Sequence, residues 1–148
     1  MKVFVYGTLM DREPNNFLLG DDAVWLGKGE TKPIYTLYDL KYFPALAFGG
    51  DTSVKGEVYE VSEKSLNKLD QLEGYEPKSP GKGFYNRQLI LVRLKDRDIA
   101  ALTYFLDEAP TNVQGRVRPI IPSGDWRIAV KGEYMDEPLD NKKGKPGL

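Results

Sequence analysis

The chain contains neither histidine nor cysteine. A Ser-His-Asp or Cys-His nucleophile system is therefore impossible, and so are zinc sites built on thiolate or imidazole. With no thiol there is no disulfide and no label of redox compartment, so a cytoplasmic location is the default expectation. Neither sign of charge prevails: 21 Lys plus Arg stand against 22 Asp plus Glu, a formal net charge of −1. No surplus of cations is available for a phosphate backbone, which argues against nucleic acid as a partner. No apolar run approaches the roughly 20 residues needed to cross a bilayer. The opening Val3-Phe4-Val5 also lacks the charged region and cleavage site of a signal peptide. No membrane association is expected. Acid–base chemistry near neutral pH then falls to a carboxyl group with a raised pKa, a lysine with a lowered one, or a tyrosine.

What remains is an ordinary globular composition: 148 residues, 41% hydrophobic and 29% charged. That length predicts one domain, large enough to need no metal or disulfide staple. Residues 2–7 read as a buried opening strand, and residues 8–19 as a turn leading into a short helix closed by Gly20. Strands are expected over 24–26, 34–39 and 54–61, with Gly27, Gly29 and Pro33 forcing bends or bulges between the first two. Pro44–Phe48 is a short apolar run before the Gly49-Gly50-Asp51 turn. Ser62 fits an N-cap, Val61 is placed to staple against Leu66, and Leu66, Leu69 and Leu72 form an apolar stripe that Gly74 ends. A long strand over 84–94, a tip at Asp96-Arg97 and a partner strand over 99–106 follow. Residues 107–124 read as irregular. Many short strands with two short helices predict an α+β fold, a small mixed β-barrel. The domain is placed at residues 1–135, with a loosely ordered tail over 136–148. The sequence leaves the oligomeric state open, a monomer being the simpler reading.

Two segments could carry chemistry. Tyr6-Gly7-Thr8-Leu9 ends the opening strand, and a strand tip with unpaired backbone N–H groups can hold a carboxylate or a developing oxyanion. Most such turns do nothing chemical. Glu73 lies at the C-terminal end of the helix, where the macrodipole disfavours a carboxylate, and Asp70 one turn earlier adds a like charge. Both predict a raised pKa, which burial would raise further. The bland alternative is a solvated terminal glutamate. Trp25 and Trp126 are read as core or lid anchors, and Gly81-Lys82-Gly83 lacks the flanking residues of a phosphate loop.

In order along the chain, Tyr6-Gly7-Thr8-Leu9, Leu69-Asp70-x-x-Glu73-Gly74 and Tyr85-x-Arg87 resemble the gamma-glutamylcyclotransferase-like family. The opening is especially similar to the branch that releases 5-oxoproline from gamma-glutamyl amines. Gly56, Tyr104 and Gly124-Asp125-Trp126 extend the resemblance over residues 2–127. It implies a mixed-barrel fold, a small gamma-glutamyl substrate and no metal or cofactor. It also implies that Tyr6, Gly7, Thr8 and Leu9 bind the gamma-glutamyl group, that Glu73 is the acid–base, and that Tyr104 contacts substrate. Residues 127–148 receive no role. Two other readings stay open: a non-catalytic ligand-binding domain on the same fold, and an interaction domain using the 74–83 loop and the basic tail.

Overall fold

The computed structural model describes residues 1–79 and 83–130. The strands are β1 (Lys2–Val5), β2 (Val24–Thr31), β3 (Tyr35–Asp39), β4 (Pro44–Phe48), β5 (Lys55–Glu60), β6 (Asn86–Arg93) and β7 (Asp98–Phe105). Helix α1 covers Glu63–Leu72, and a short helical turn, α2, covers Trp126–Ile128. The order β1-β5-β2-β6-β7 closes into a barrel, sealed by a parallel pairing of Val3 with Leu102, while β3 and β4 form a separate hairpin. The α+β barrel expected from the sequence is the fold observed.

The hairpin at Asp96-Arg97 pairs β6 with β7 in unbroken register from Asn86↔Phe105 to Arg93↔Asp98. The strand expected over 24–26 runs on to Thr31, because Gly27 absorbs the bend as a bulge instead of ending the strand. The helix expected before Gly20 is a single 3-10 turn, Asn16–Leu19. Strand β5 lies between β1 and β2 and is buried on both faces from Gly56 to Tyr59, including the carboxylate of Glu57. That accounts for the mixed polarity of its two faces. Trp126 is buried in the core, whereas Trp25 is half exposed and lies outside it. The tail over 136–148 and the Gly81-Lys82 pair lie outside the described residues.

Helix α1 positions Glu73. The Ser62 hydroxyl accepts from the Ser65 N–H at 3.1 Å, satisfying one of the helix's orphan donors, and Leu66 and Leu69 are buried. At the other end Glu73 is the C-cap. Gly74 follows at φ +69°, a left-handed conformation that favours glycine. The Tyr75 N–H donates to the Asp70 carbonyl at 2.8 Å and the Gly74 N–H to the Gln71 carbonyl at 3.2 Å. These two bonds make a Schellman motif, which terminates α1 and fixes the backbone of Glu73. Among the described residues no helix is long and apolar enough to cross a membrane.

Gly74→Ala should therefore cost about 1–2 kcal/mol, since a side chain at positive φ is strained. Urea unfolding of both proteins measures this, and an unchanged midpoint would show that the terminus is not fixed as described.

Candidate active site

The main chain of Glu73 is held on both sides. Its N–H donates to the Leu69 carbonyl at 2.8 Å, and its carbonyl accepts from the Tyr85 N–H at 3.2 Å, tying the end of α1 to the start of β6. The side chain is directed inward and is only 2% exposed. Neither carboxyl oxygen has a hydrogen-bond partner among the described residues. Burial without compensation disfavours the charged form, so the pKa is pushed up to about 8. Glu73 borders a cavity of about 230 Å³ shared with Phe43, Phe84 and Tyr85. A larger cavity of about 790 Å³ lies between β2 and the β6–β7 tip; Trp25 lines it, but none of the residues nominated for catalysis or substrate binding does.

Three buried tyrosines lie within the electrostatic reach of this carboxyl: Tyr6 at the end of β1, Tyr85 before β6, and Tyr104 in β7. Each phenol has one proton to donate, and each gives it elsewhere. Tyr6 donates to the Tyr104 carbonyl at 2.8 Å and accepts from the Leu46 N–H at 3.0 Å. Tyr85 donates to the Pro44 carbonyl at 3.1 Å, and Tyr104 donates to the Asp70 carboxylate at 2.7 Å. Desolvation first, and in part the Glu73 charge, raises all three phenols far above the ordinary tyrosine value. They remain neutral donors. Tyr104, expected to contact substrate, is fully buried and holds Asp70.

The expectation for Asp70 needs correction. Its charge is not left to act on Glu73, because Arg87 Nη1 reaches both its oxygens, at 2.9 and 2.7 Å. The guanidinium also lies over the Tyr75 ring, 4.8 Å from the centroid. A paired carboxylate projects little field, and burial alone accounts for the raised pKa of Glu73. Asp70 and Arg87 act as an anchor between α1 and β6.

After Tyr6 the chain turns sharply. The Met10 N–H donates to the Gly7 carbonyl at 3.0 Å, and the Asn15 N–H to the Thr8 carbonyl at 2.9 Å. The Thr8 hydroxyl accepts from Asn15 Nδ2 at 3.1 Å, and the Leu9 carbonyl from Asn16 Nδ2 at 2.9 Å. Thr8 and Leu9 are fully buried. Tyr6 thus lies within the electrostatic reach of Glu73, although the two segments are far apart in sequence, while Gly7, Thr8 and Leu9 do not line the cavity that Glu73 borders. Sequence reasoning missed a second cluster in which Arg127 meets Glu13 and Glu57. The one available signal was its position immediately after Gly124-Asp125-Trp126.

Known proteins are similar to this chain in sequence and in fold. Residues 3–128 match the sequence profile of a family described as gamma-glutamyl cyclotransferase, AIG2-like. A Vibrio cholerae relative, provisionally named a gamma-glutamylcyclotransferase, is 40% identical over 124 residues, covering 84% of this chain and 93% of the relative. The gamma-glutamylcyclotransferase family protein YtfP of Escherichia coli is 35% identical, covering 85% of this chain and 96% of its own. Among solved structures, YkqA of Bacillus subtilis superposes with a TM-score of 0.65 at 28% identity, over 89% of this chain and 42% of that longer one. An AIG2-like protein from Mus musculus gives a TM-score of 0.64 at 26% identity, over 84% of this chain and 87% of its own.

The Asp70–Arg87 anchor generates a stability prediction. Arg87→Met leaves a buried carboxylate with only the Tyr104 hydroxyl, and should cost about 3–5 kcal/mol. Adding Asp70→Asn should recover part of the loss by removing the uncompensated charge. Chemical denaturation of the single and double variants measures both, and a single variant as stable as the parent would contradict the anchor.

Proposed function

The chain belongs to the gamma-glutamyl cyclotransferase, AIG2-like family, and from that premise we propose that it cyclises the gamma-glutamyl group of a gamma-glutamyl amine or amino acid, releasing 5-oxoproline and the free amine. The observation that carries this reading is the Glu73 carboxyl, buried, without a hydrogen-bond partner among the described residues, and with a pKa near 8. A buried carboxyl left in that state is suited to receive a donor that arrives with the substrate. The α-ammonium of a gamma-glutamyl group is such a donor, and its positive charge would pull the Glu73 pKa down on binding.

The reaction takes two steps. Glu73, ionised, takes a proton from the α-ammonium, and the freed amine attacks the γ-carbonyl carbon to form a C–N bond and a five-membered ring. The resulting oxyanion is placed at the backbone of Gly7, Thr8 and Leu9. Glu73 returns the proton to the departing nitrogen as the original amide C–N bond breaks, and the extra proton of the new ring nitrogen passes through the Glu73 carboxylate to the freed amine, which leaves as an ammonium. Because nucleophile and carbonyl belong to one molecule, holding the substrate in its ring-closing conformer contributes much of the rate. The tyrosines keep their protons throughout this range of pH. They shape the chamber and exclude water, and Glu73 does the proton transfer.

The test is 5-oxoproline release from a panel of gamma-glutamyl amines and amino acids, by the parent and by Glu73→Gln. Glutamine has the size of glutamate but cannot exchange the proton, so turnover should fall by a factor of ~10⁴ or more, since one group serves both steps. In the parent, kcat/KM should rise with pH towards the free-protein pKa of about 8, because it reports the ionisation of unliganded enzyme. The stability sign is also fixed. A carboxyl raised from 4.5 to about 8 in the folded state contributes stability below the unfolded value and loses it as pH rises through the folded one. Glu73→Gln should therefore melt higher than the parent at pH values above 8, and show no such advantage below 4.5. Parental turnover in a folded Glu73→Gln protein would refute the assignment.

A further inference from the structure

The Arg127 cluster takes no part in proton transfer, yet it bears on the loop that receives the substrate. Arg127 comes after three residues whose identities serve to present it. Gly124 is at φ +70°, and a side chain there would collide with the Ser53 carbonyl, so the chain lies flat against the start of β5. The Asp125 carboxylate accepts from the Arg127 N–H at 3.0 Å, capping α2, and Trp126 is buried in the core. The backbone of Arg127 is thereby fixed against the barrel.

Its guanidinium then reaches three groups at once. Nε donates to Glu13 at 2.8 Å, Nη1 to Glu57 at 3.1 Å, and Nη2 to the Asp11 carbonyl. Glu13 and Asp11 belong to the loop after β1, and Glu57 is a buried carboxylate of β5. The same Glu57 accepts from the Asp11 N–H at 2.8 Å and from the Tyr59 hydroxyl at 3.4 Å. The Tyr59 oxygen accepts from Asn16 Nδ2 at 3.3 Å, and that amide also donates to the Leu9 carbonyl. An unbroken chain of hydrogen bonds therefore runs from Arg127 through Glu57, Tyr59 and Asn16 to the backbone of Leu9. The guanidinium meets these acceptors with three different nitrogens, whereas a lysine would have to serve all of them from one.

We propose that Arg127 is a positioning residue for substrate capture: it clamps the 7–16 loop onto β5, and so sets the Gly7–Leu9 backbone in the geometry that receives the gamma-glutamyl group. This rests on the cyclotransferase reading for the identity of the ligand, but the clamp itself does not. Because Arg127 acts on the loop and leaves Glu73 alone, its loss weakens what the loop does, substrate binding and oxyanion stabilisation, and leaves the proton carrier intact. Arg127→Met should raise KM for a gamma-glutamyl amine, and the Kd for 5-oxoproline, by about tenfold, the equivalent of one charge-assisted bond, with kcat falling alongside because the same backbone holds the oxyanion, and with the pH dependence set by Glu73 unchanged. Arg127→Lys, which restores the charge without the fork, should recover only part. Glu13→Gln removes one arm and should give a smaller shift of the same kind, on the order of threefold.

Kinetics, calorimetric titration with 5-oxoproline and hydrogen exchange over residues 6–16 together make the test. Exchange should be faster by about tenfold in Arg127→Met and intermediate in Arg127→Lys. If the parent itself releases no 5-oxoproline, the reading of function fails, and the exchange rates still decide the clamp. If Arg127→Met does not fold, Glu13→Gln decides it in the same assays. Parental KM, Kd and loop exchange in the folded variant would overturn the proposal. So would a fall in kcat with KM unchanged.

Discussion

A carboxyl group held away from water, without a hydrogen-bond partner among the described residues, is the constraint around which this molecule is organised. Such a group is costly, and a protein free to relax would rotate it to solvent or bring a donor to it. Here relaxation is blocked on each side. The Schellman turn at Gly74 and the Tyr85 N–H fix the Glu73 backbone. The phenols around it donate to the Tyr104 carbonyl, the Pro44 carbonyl and the Asp70 carboxylate, and a donation to Glu73 would have to break one of those bonds. Arg87 is held by Asp70 and the face of Tyr75. Burial, which pushes the pKa up to about 8, favours the neutral carboxyl at neutral pH.

This constraint divides the labour between the two ends of the site. In the proposed reaction the end of α1 supplies the proton carrier, and the loop after β1 supplies backbone. They come together because β1 pairs with β5, which leads straight into α1, and with β7, which carries Tyr104. The Tyr6 side chain crosses between these elements. The barrel is therefore a rigid distance-setter for two segments that do not depend on one another locally.

The sequence made much of this legible, for identifiable reasons. Ser62 and Gly74 are local signals, so the helix and its end were readable, and with them the place of Glu73. The β6–β7 hairpin declared itself by alternation on either side of Asp96-Arg97. Tertiary partners left no such trace. The Asp70–Arg87 pair depends on which strand packs under α1, and reading Asp70 as an unpaired charge was the natural error of a one-dimensional view. Arg127 was passed over because its acceptors lie 70 and 114 residues away. The extension of β2 past Gly27 was hidden because a bulge and a strand end look alike in sequence.

The central claim is that Glu73 is buried as a neutral acid, and its ionisation can be observed directly. Carbon-13 NMR of the glutamate carboxyls, with the Glu73→Gln protein assigning the resonance, gives its titration curve in the free protein. The account predicts a midpoint near 8, against an ordinary value of 4.5. A midpoint near that ordinary value would mean a solvated or hydrogen-bonded carboxylate, and would contradict it.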